Sequence, residues 1–234
     1  MMRNFIVYGH AVLFFIAIIP IMLWLKTKDP EIRYKKTNQL AEKIASKTLK
    51  LAGTKVEVDG LDNIKENEHY LYISNHQGNF DIPLLLAHVN RDLSFIAKES
   101  LQKVPLFGLW MTHKMCIFIN RENPRQAVRQ LAQAGEMVQN GKPVSIFPEG
   151  HRSKGDKMGD FGNSGSRIAK KSGVKILPIT IDGSYRIMEE LDGKFQPTTV
   201  KIVVHKAIDT TDFSSLSDLN EQVESVIQSA LPSA

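Results

Sequence analysis

Residues 70–86 read YLYISNHQGNFDIPLLL: an apolar run, a polar turn containing a glycine, and a second apolar run opened by an aspartate. Aromatic and β-branched residues over 70–74 predict a buried strand, and Asp81 stands where a helix through Leu84-Leu85-Leu86 would take its cap. Strand, loop and helix together form the repeating unit of an α/β sheet. Other short apolar runs recur along the chain, KVEV (55–58), LSFIA (93–97), CIFIN (116–120), VSIF (144–147), VKILPITI (174–181) and VKIVVH (200–205), with helical stretches between several of them. This alternation predicts an α/β domain, a sheet covered by helices. Asn123 followed by Pro124 predicts a helix start, Val128, Leu131 and Val138 mark one face, and Asn140-Gly141 predicts its stop. Residues 214–234 read as a terminal helix.

Upstream of the sheet the pattern differs. Residues 5–25, FIVYGHAVLFFIAIIPIMLWL, are long enough to cross a bilayer and are interrupted only by Gly9, His10 and Pro20. Lys26, Lys28, Arg33, Lys35 and Lys36 follow, with no small-residue cleavage pattern, so the run reads as an anchor whose basic flank faces the cytoplasm. Spanning and dipping into one leaflet both fit. Residues 30–51 carry Ile32, Leu40, Ile44 and Leu51, with Ala41 and Ala45, on one helical stripe, which suits either an interfacial helix or a surface helix packed on the domain. The boundary expected is residues 1–52 for membrane-anchoring helices and 53–234 for the α/β domain.

Charge supports that division. The net charge is +5, yet residues 1–50 hold nine Lys+Arg and three Asp+Glu while the remainder holds 21 and 22. A basic block confined to one hydrophobic end points to an anionic membrane surface rather than to nucleic acid. The single cysteine, Cys116, excludes an intramolecular disulfide and a cysteine-based zinc cluster, and its place in an apolar run reads as core.

Two loops carry candidate chemistry. In the first, His76 and Asp81 stand five residues apart on a turn that can fold the carboxylate onto the imidazole. A carboxylate on one ring nitrogen fixes the tautomer and prepares the other nitrogen to take a proton from a hydroxyl. No serine nucleophile accompanies the pair, so the activated hydroxyl would belong to the substrate and transfer would be direct. Taken separately, Asp81 reads equally as a helix cap and His76 as a structural histidine. The second loop, SIFPEGHRS (145–153), follows another apolar run; Arg152 can fork onto a phosphate and Glu149 can orient an acceptor, while a solvated loop is the plain alternative.

In this order and at this separation, NHQGNFD (75–81) and FPEGHRS (147–153) resemble the first and third motifs of the glycerolipid acyltransferases, NHxxxxD and FPEGTRS. Cys116-Ile117-Phe118-Ile119-Asn120-Arg121 resembles the second, Ile176-Leu177-Pro178-Ile179-Thr180-Ile181 the fourth, and Ala97-Lys98-Glu99 an element with a phosphate-facing lysine. The resemblance covers roughly residues 55–208. It implies a mixed central sheet flanked by helices, an N-terminal membrane-associated helix pair, catalytic His76 and Asp81, and substrate-binding Lys98, Arg121, Glu149, Gly150 and Arg152. It also implies an acyl thioester of acyl-carrier protein or coenzyme A as co-substrate, with no cofactor. The acceptor implied is 1-acylglycerol 3-phosphate, and the place a cytoplasmic membrane with the catalytic domain in the cytoplasm. Two positions depart: His151 replaces the usual Thr, and Phe161-Gly162-Asn163-Ser164-Gly165 replaces a Phe-Lys-x-Gly stretch.

The rival readings are transfer to glycerol 3-phosphate or another lysolipid, and a non-catalytic lipid-binding membrane protein. His113, His151 and His205 give no metal-ligand spacing with His76, so no metal is expected. Residues 104–111, VPLFGLWM, fit plain core or the wall of an acyl tunnel, with Trp110 as a packing residue and Trp24 as an interfacial anchor.

Overall fold

The structure, a computed structural model, describes residues 2–120 and 122–232. Residues 70–74 and each of the six short apolar runs expected as strands contribute one: β1 (Thr54–Asp59), β2 (Tyr70–Ser74), β3 (Ser94–Lys98), β4 (Ile117–Ile119), β5 (Val144–Ile146), β6 (Lys175–Asp182) and β7 (Thr198–Val204). Among the described residues they form one sheet in the order β1-β7-β6-β2-β5-β3-β4. The β6–β7 pair is antiparallel and the other neighbours are parallel, so the sheet is mixed. Pro178 sits inside β6 without breaking a ladder, because pairing with β7 begins only at Ile179.

β2 is buried along its whole length, as a central parallel strand must be. Its alternate residues feed two cores. Tyr70 and Tyr72 pack with Leu177, Ile179 and Ile181 under α2 (Pro30–Ala52) and α3 (Asp81–His88). Leu71 and Ile73 pack on the opposite face with Ala134 and Val138 of α5 (Pro124–Gln139), Ile168 and Ala169 of α6 (Ser164–Ser172), and Leu219 and Val223 of α7 (Leu216–Gln228). The predicted start of α5 is present: the Asn123 side chain accepts from Gln126 N–H at 3.1 Å with Pro124 next in line. Residues 104–111 contribute α4 (Phe107–His113), and Cys116 lies one residue before β4, packed against the first core.

α1 (Met2–Leu25) is long and apolar enough to cross a membrane, yet one side of it is fastened to the domain. Near its start, Tyr8 donates to Gly193 C=O at 2.9 Å and Asn4 accepts from Phe195 N–H at 3.0 Å. Further along, Phe14 and Phe15 meet Trp110 of α4 at ring separations of 5.2 and 5.8 Å, and Ile18, Met22 and Leu25 are buried. Its other side exposes Phe5, Val12, Leu13, Ile16 and Trp24. In α2 the buried stripe matches the expected one at Ala41 and Ala45 and departs from it at the larger residues. Ala41, Ala45, Leu49 and Ala52 face the core, whereas Ile32 is exposed and Leu40, Ile44 and Leu51 are half-buried. Small alanines let the helix approach α3 and the sheet closely, a packing requirement that a count of large apolar residues does not register.

Candidate active site

The parallel strands β4, β3, β5, β2 and β6 all end on one edge of the sheet, where α/β proteins place their sites. Asn75, directly after β2, is fully buried and pins the turn to β6: its amide donates to Ile181 C=O and accepts from Ile181 N–H, both at 2.8 Å. Gln77 adds a second fastening, its Oε1 accepting from Gly183 N–H at 2.9 Å and Ser184 N–H at 3.1 Å. Between these two clamps His76 is held half-buried.

The carboxylate of Asp81 turns back from the first residue of α3 and lies 2.6 Å from His76 Nδ1. Gly78 N–H donates to the same Oδ2 at 2.9 Å, and the hydroxyl of Ser184 donates to Oδ1. The carboxylate therefore binds the imidazole rather than serving as the conventional helix cap that the sequence also allowed. With Nδ1 committed to Asp81, the ring nitrogen left for chemistry is Nε2. The ring stacks on Phe147 with centroids 4.1 Å apart and 16° between planes, and Phe147 lies nearly parallel to Phe95.

The loop after β5 closes over this turn. Glu149 is buried; its Oε1 accepts from His76 N–H at 2.5 Å and its Oε2 from Gly159 N–H at 2.8 Å. Burial pushes its pKa up, while the two amide bonds and the nearby imidazole pull the other way. Ser153 N–H and Lys154 N–H donate to His76 C=O and Gln77 C=O at 2.8 and 3.0 Å, stitching the two loops together. Gly150 adopts φ 72°, the left-handed conformation that lets the chain reverse after Glu149.

His76, Lys98, Glu149, Gly150 and Arg152 all line one cavity of about 590 Å³. Phe147, Phe95 and Ile146 form apolar walls with Phe107 and Met111 of α4 and Leu131 of α5, so residues 104–111 serve both as core and as cavity wall. The lining thus combines apolar walls with an imidazole and two cationic side chains, a set that can hold an apolar chain together with an anionic group and a base. Arg152 uses Nη1 on the Asn79 side-chain oxygen. Arg121, the remaining expected binding residue, lies outside the described residues. Gly162, where the usual pattern has Lys, donates its N–H to Pro148 C=O at 3.0 Å, beneath the same loop.

Three contributors escaped sequence reasoning: Ser184, Phe147 as the ring beneath the imidazole, and Glu189, whose Oε1 accepts from Asn79 N–H at 2.7 Å. Phe147 stands inside a motif already singled out; Ser184 and Glu189 carry no local signal except their position just after a strand.

The profile of the Acyltransferase family matches residues 55–182. A chloroplastic 1-acyl-sn-glycerol-3-phosphate acyltransferase of Arabidopsis thaliana is 33% identical over 156 residues, 66% of this chain and 44% of that protein. A 1-acyl-sn-glycerol-3-phosphate acyltransferase of Chlamydomonas reinhardtii is 30% identical over 225 residues, 93% of this chain and 67% of that protein. This chain thus spans under half of the Arabidopsis relative's length. Among solved structures, the 1-acyl-sn-glycerophosphate (LPA) acyltransferase PlsC of Thermotoga maritima superposes with a TM-score of 0.83 at 29% identity, covering 100% of this chain and 97% of that one.

Proposed function

The chain belongs to the acyltransferase family, and from that premise we propose that it moves a fatty acyl group from a carrier-protein or coenzyme A thioester to the sn-2 hydroxyl of 1-acylglycerol 3-phosphate, making phosphatidic acid. The observation that carries this reading is the His76–Asp81 pair at 2.6 Å on the wall of an apolar cavity that also contains Lys98 and Arg152. The acceptor hydroxyl lies against His76 Nε2. As its oxygen attacks the thioester carbonyl, the proton passes to Nε2; the carbon–sulfur bond then breaks, and the proton leaves with the departing thiol. Asp81 holds Nδ1–H and balances the imidazolium formed on the way. Glu149 keeps the base-bearing turn in place through His76 N–H.

Arg152 and Lys98 hold the acceptor's phosphate, with Arg121 assigned to the same task, while Gly150, whose N–H donates to Phe147 C=O at 3.1 Å, shapes the substrate-binding loop that carries Arg152. A hydrogen bond to a charged group contributes about 1.5–3 kcal/mol, so Arg152→Ala raises the acceptor KM about 10- to 100-fold. Its effect on kcat is smaller. Initial rates over a range of acceptor concentrations check this, and an unchanged saturation curve would remove Arg152 from the phosphate site.

A second acceptor class is motivated by Gly162, which leaves the loop without the lysine usual at that place. Labelled acyl-carrier protein and acyl-coenzyme A donors, run against lysophosphatidate, glycerol 3-phosphate and other lysolipids, distinguish the two. Turnover of another lysolipid alone would retain the base and change the substrate; no turnover with any acceptor would sink the catalytic reading.

Residues 1–52 form the membrane-facing part, with residues 53–234 as the catalytic domain on the cytoplasmic side of the membrane. Contacts along α1 from Asn4 to Leu25 support a helix lying in the interface rather than crossing, since crossing would strip away Tyr8, Phe14 and Phe15 from their partners. α4 then links the two functions: Trp110 packs on α1, while Phe107 and Met111 line the cavity. Leu13→Glu with Ile16→Glu places two charges on the exposed side of α1. Losing the burial of two such side chains, about 1.5 kcal/mol each or more, weakens binding to anionic vesicles by at least about 10²-fold. Flotation with the double variant at wild-type levels would refute the interfacial placement.

A further inference from the structure

Glu189 is the buried acid near the site for which the mechanism above has no use. Its side chain is 5% exposed, and it does not line the cavity, so it is not placed to touch substrate. It follows the 3-10 turn Ser184–Ile187, which begins where β6 ends. Ser184 at the start of that turn reaches Asp81; Glu189, five residues on, reaches the middle of the same His76–Asp81 loop. There its Oε1 accepts from Asn79 N–H at 2.7 Å and lies 3.8 Å from Arg152 Nη1. The same Nη1 donates to the side-chain oxygen of Asn79. Arg152 is thus held from two directions, by an amide oxygen and by a buried carboxylate. The loop lies close at Gly78, where a Cβ would fall 2.8 Å from Glu189 Oε2 and the carboxylate would have to shift.

A guanidinium on a flexible stem loses side-chain entropy of up to about 2 kcal/mol when it must be ordered by its ligand. Anchoring one nitrogen in advance lowers that cost and leaves Nε and Nη2 as further donors. Burial pushes the Glu189 pKa up, and the Asn79 amide and Arg152 oppose that rise. We infer that Glu189 is a positioning residue for acceptor binding: its carboxylate holds Arg152 against the base-bearing turn, and so registers the phosphate-holding group with His76. The inference rests on the reading of Arg152 as the phosphate ligand.

Glu189→Gln isolates the charge, because its side-chain oxygen still accepts from Asn79 N–H while the ionic hold on Arg152 is lost. The experiment measures kcat, acceptor KM and donor KM for the full chain in detergent micelles with lysophosphatidate, alongside the thermal midpoint. A loosened ion pair predicts an acceptor KM raised about 5- to 10-fold, with kcat within about threefold and donor KM and midpoint unchanged. In an Arg152→Ala background the same substitution changes acceptor KM by less than about twofold, because its object is gone. Glu189→Ala, which also removes the acceptor for Asn79 N–H, lowers kcat as well.

Acceptor KM unchanged in Glu189→Gln, or lowered because a negative charge has been removed near the phosphate, overturns the inference. Equal rises in both KM values with a lower midpoint assign Glu189 a purely structural part and overturn it too. If Arg152→Ala itself leaves the acceptor KM unchanged, the phosphate reading fails first, which separates the two failures.

Discussion

His76→Ala is expected to lower kcat by about 10²–10⁴-fold, the usual contribution of a positioned general base. The substitution has a second effect that must be separated from the first. Asp81 is fully buried and accepts from His76, Gly78 and Ser184; removing the imidazole leaves one bond of a buried carboxylate unmade, which costs about 1–3 kcal/mol of stability. Part of any lost rate would then come from a disturbed loop. His76→Asn is the control: its amide can donate toward Asp81 in place of Nδ1–H, yet it has no basic nitrogen at the Nε2 position. Both variants should lose rate to a similar degree, with His76→Asn retaining more of the wild-type thermal midpoint. A kcat within tenfold of wild type for either, in folded protein, would rule out His76 as the base.

Asp81→Asn should cost less, about 10- to 100-fold in kcat, the equivalent of the ~1.5–3 kcal/mol of one charge-assisted hydrogen bond. The reason lies in the surroundings of the carboxylate. If the new amide places its oxygen where Oδ2 lies, His76 Nδ1–H and Gly78 N–H keep their acceptor. Its NH₂ then meets the Ser184 oxygen, and a hydroxyl can rotate to accept. Tautomer and ring orientation survive, and what disappears is the negative charge that stabilises the imidazolium. Asp81→Ala, which loses orientation as well, should fall further toward the His76→Ala rate. Steady-state kcat for the two Asp81 variants measures this difference directly. Equal losses would mean that Ser184 does not rescue the geometry, and no loss in Asp81→Asn would show that the charge contributes nothing.

Much of the site was readable along the chain because its pieces are local. His76 and Asp81 belong to one turn, and Glu149, Gly150 and Arg152 to one loop, each immediately after a run apolar enough to be recognised as a strand. The chemistry of a histidine five residues from an aspartate needs nothing from elsewhere to be suspected. The alternative for Asp81, a helix cap, could not be dismissed on the same ground: α3 does begin at Asp81, and only the direction of the carboxylate separates the two roles. The stripe expected for α2 is fully buried at Ala41 and Ala45 but not at Ile32, Leu40 and Ile44, for a comparable reason: these larger residues have more to gain from burial, yet the buried face is built on the alanines. Size says what would gain from burial; the distance to α3 says what fits.

Taken alone, the sequence determined that a mixed pattern of strands and helices follows an apolar, basic-flanked N-terminus, and that a histidine–aspartate turn and an arginine-bearing loop sit after two of the strands. Periodicity and turn chemistry are local properties, written residue by residue. Tertiary structure decided which strands are neighbours, and that decided the rest. Because β2 lies between β5 and β6, Glu149 can hold His76 N–H from one side while Ser184 reaches Asp81 from the other, across 73 and 103 residues of chain. Hydrogen bonds between loops depend on distances of about 3 Å, and no pattern within either loop encodes the order in which the sheet brings their strands together.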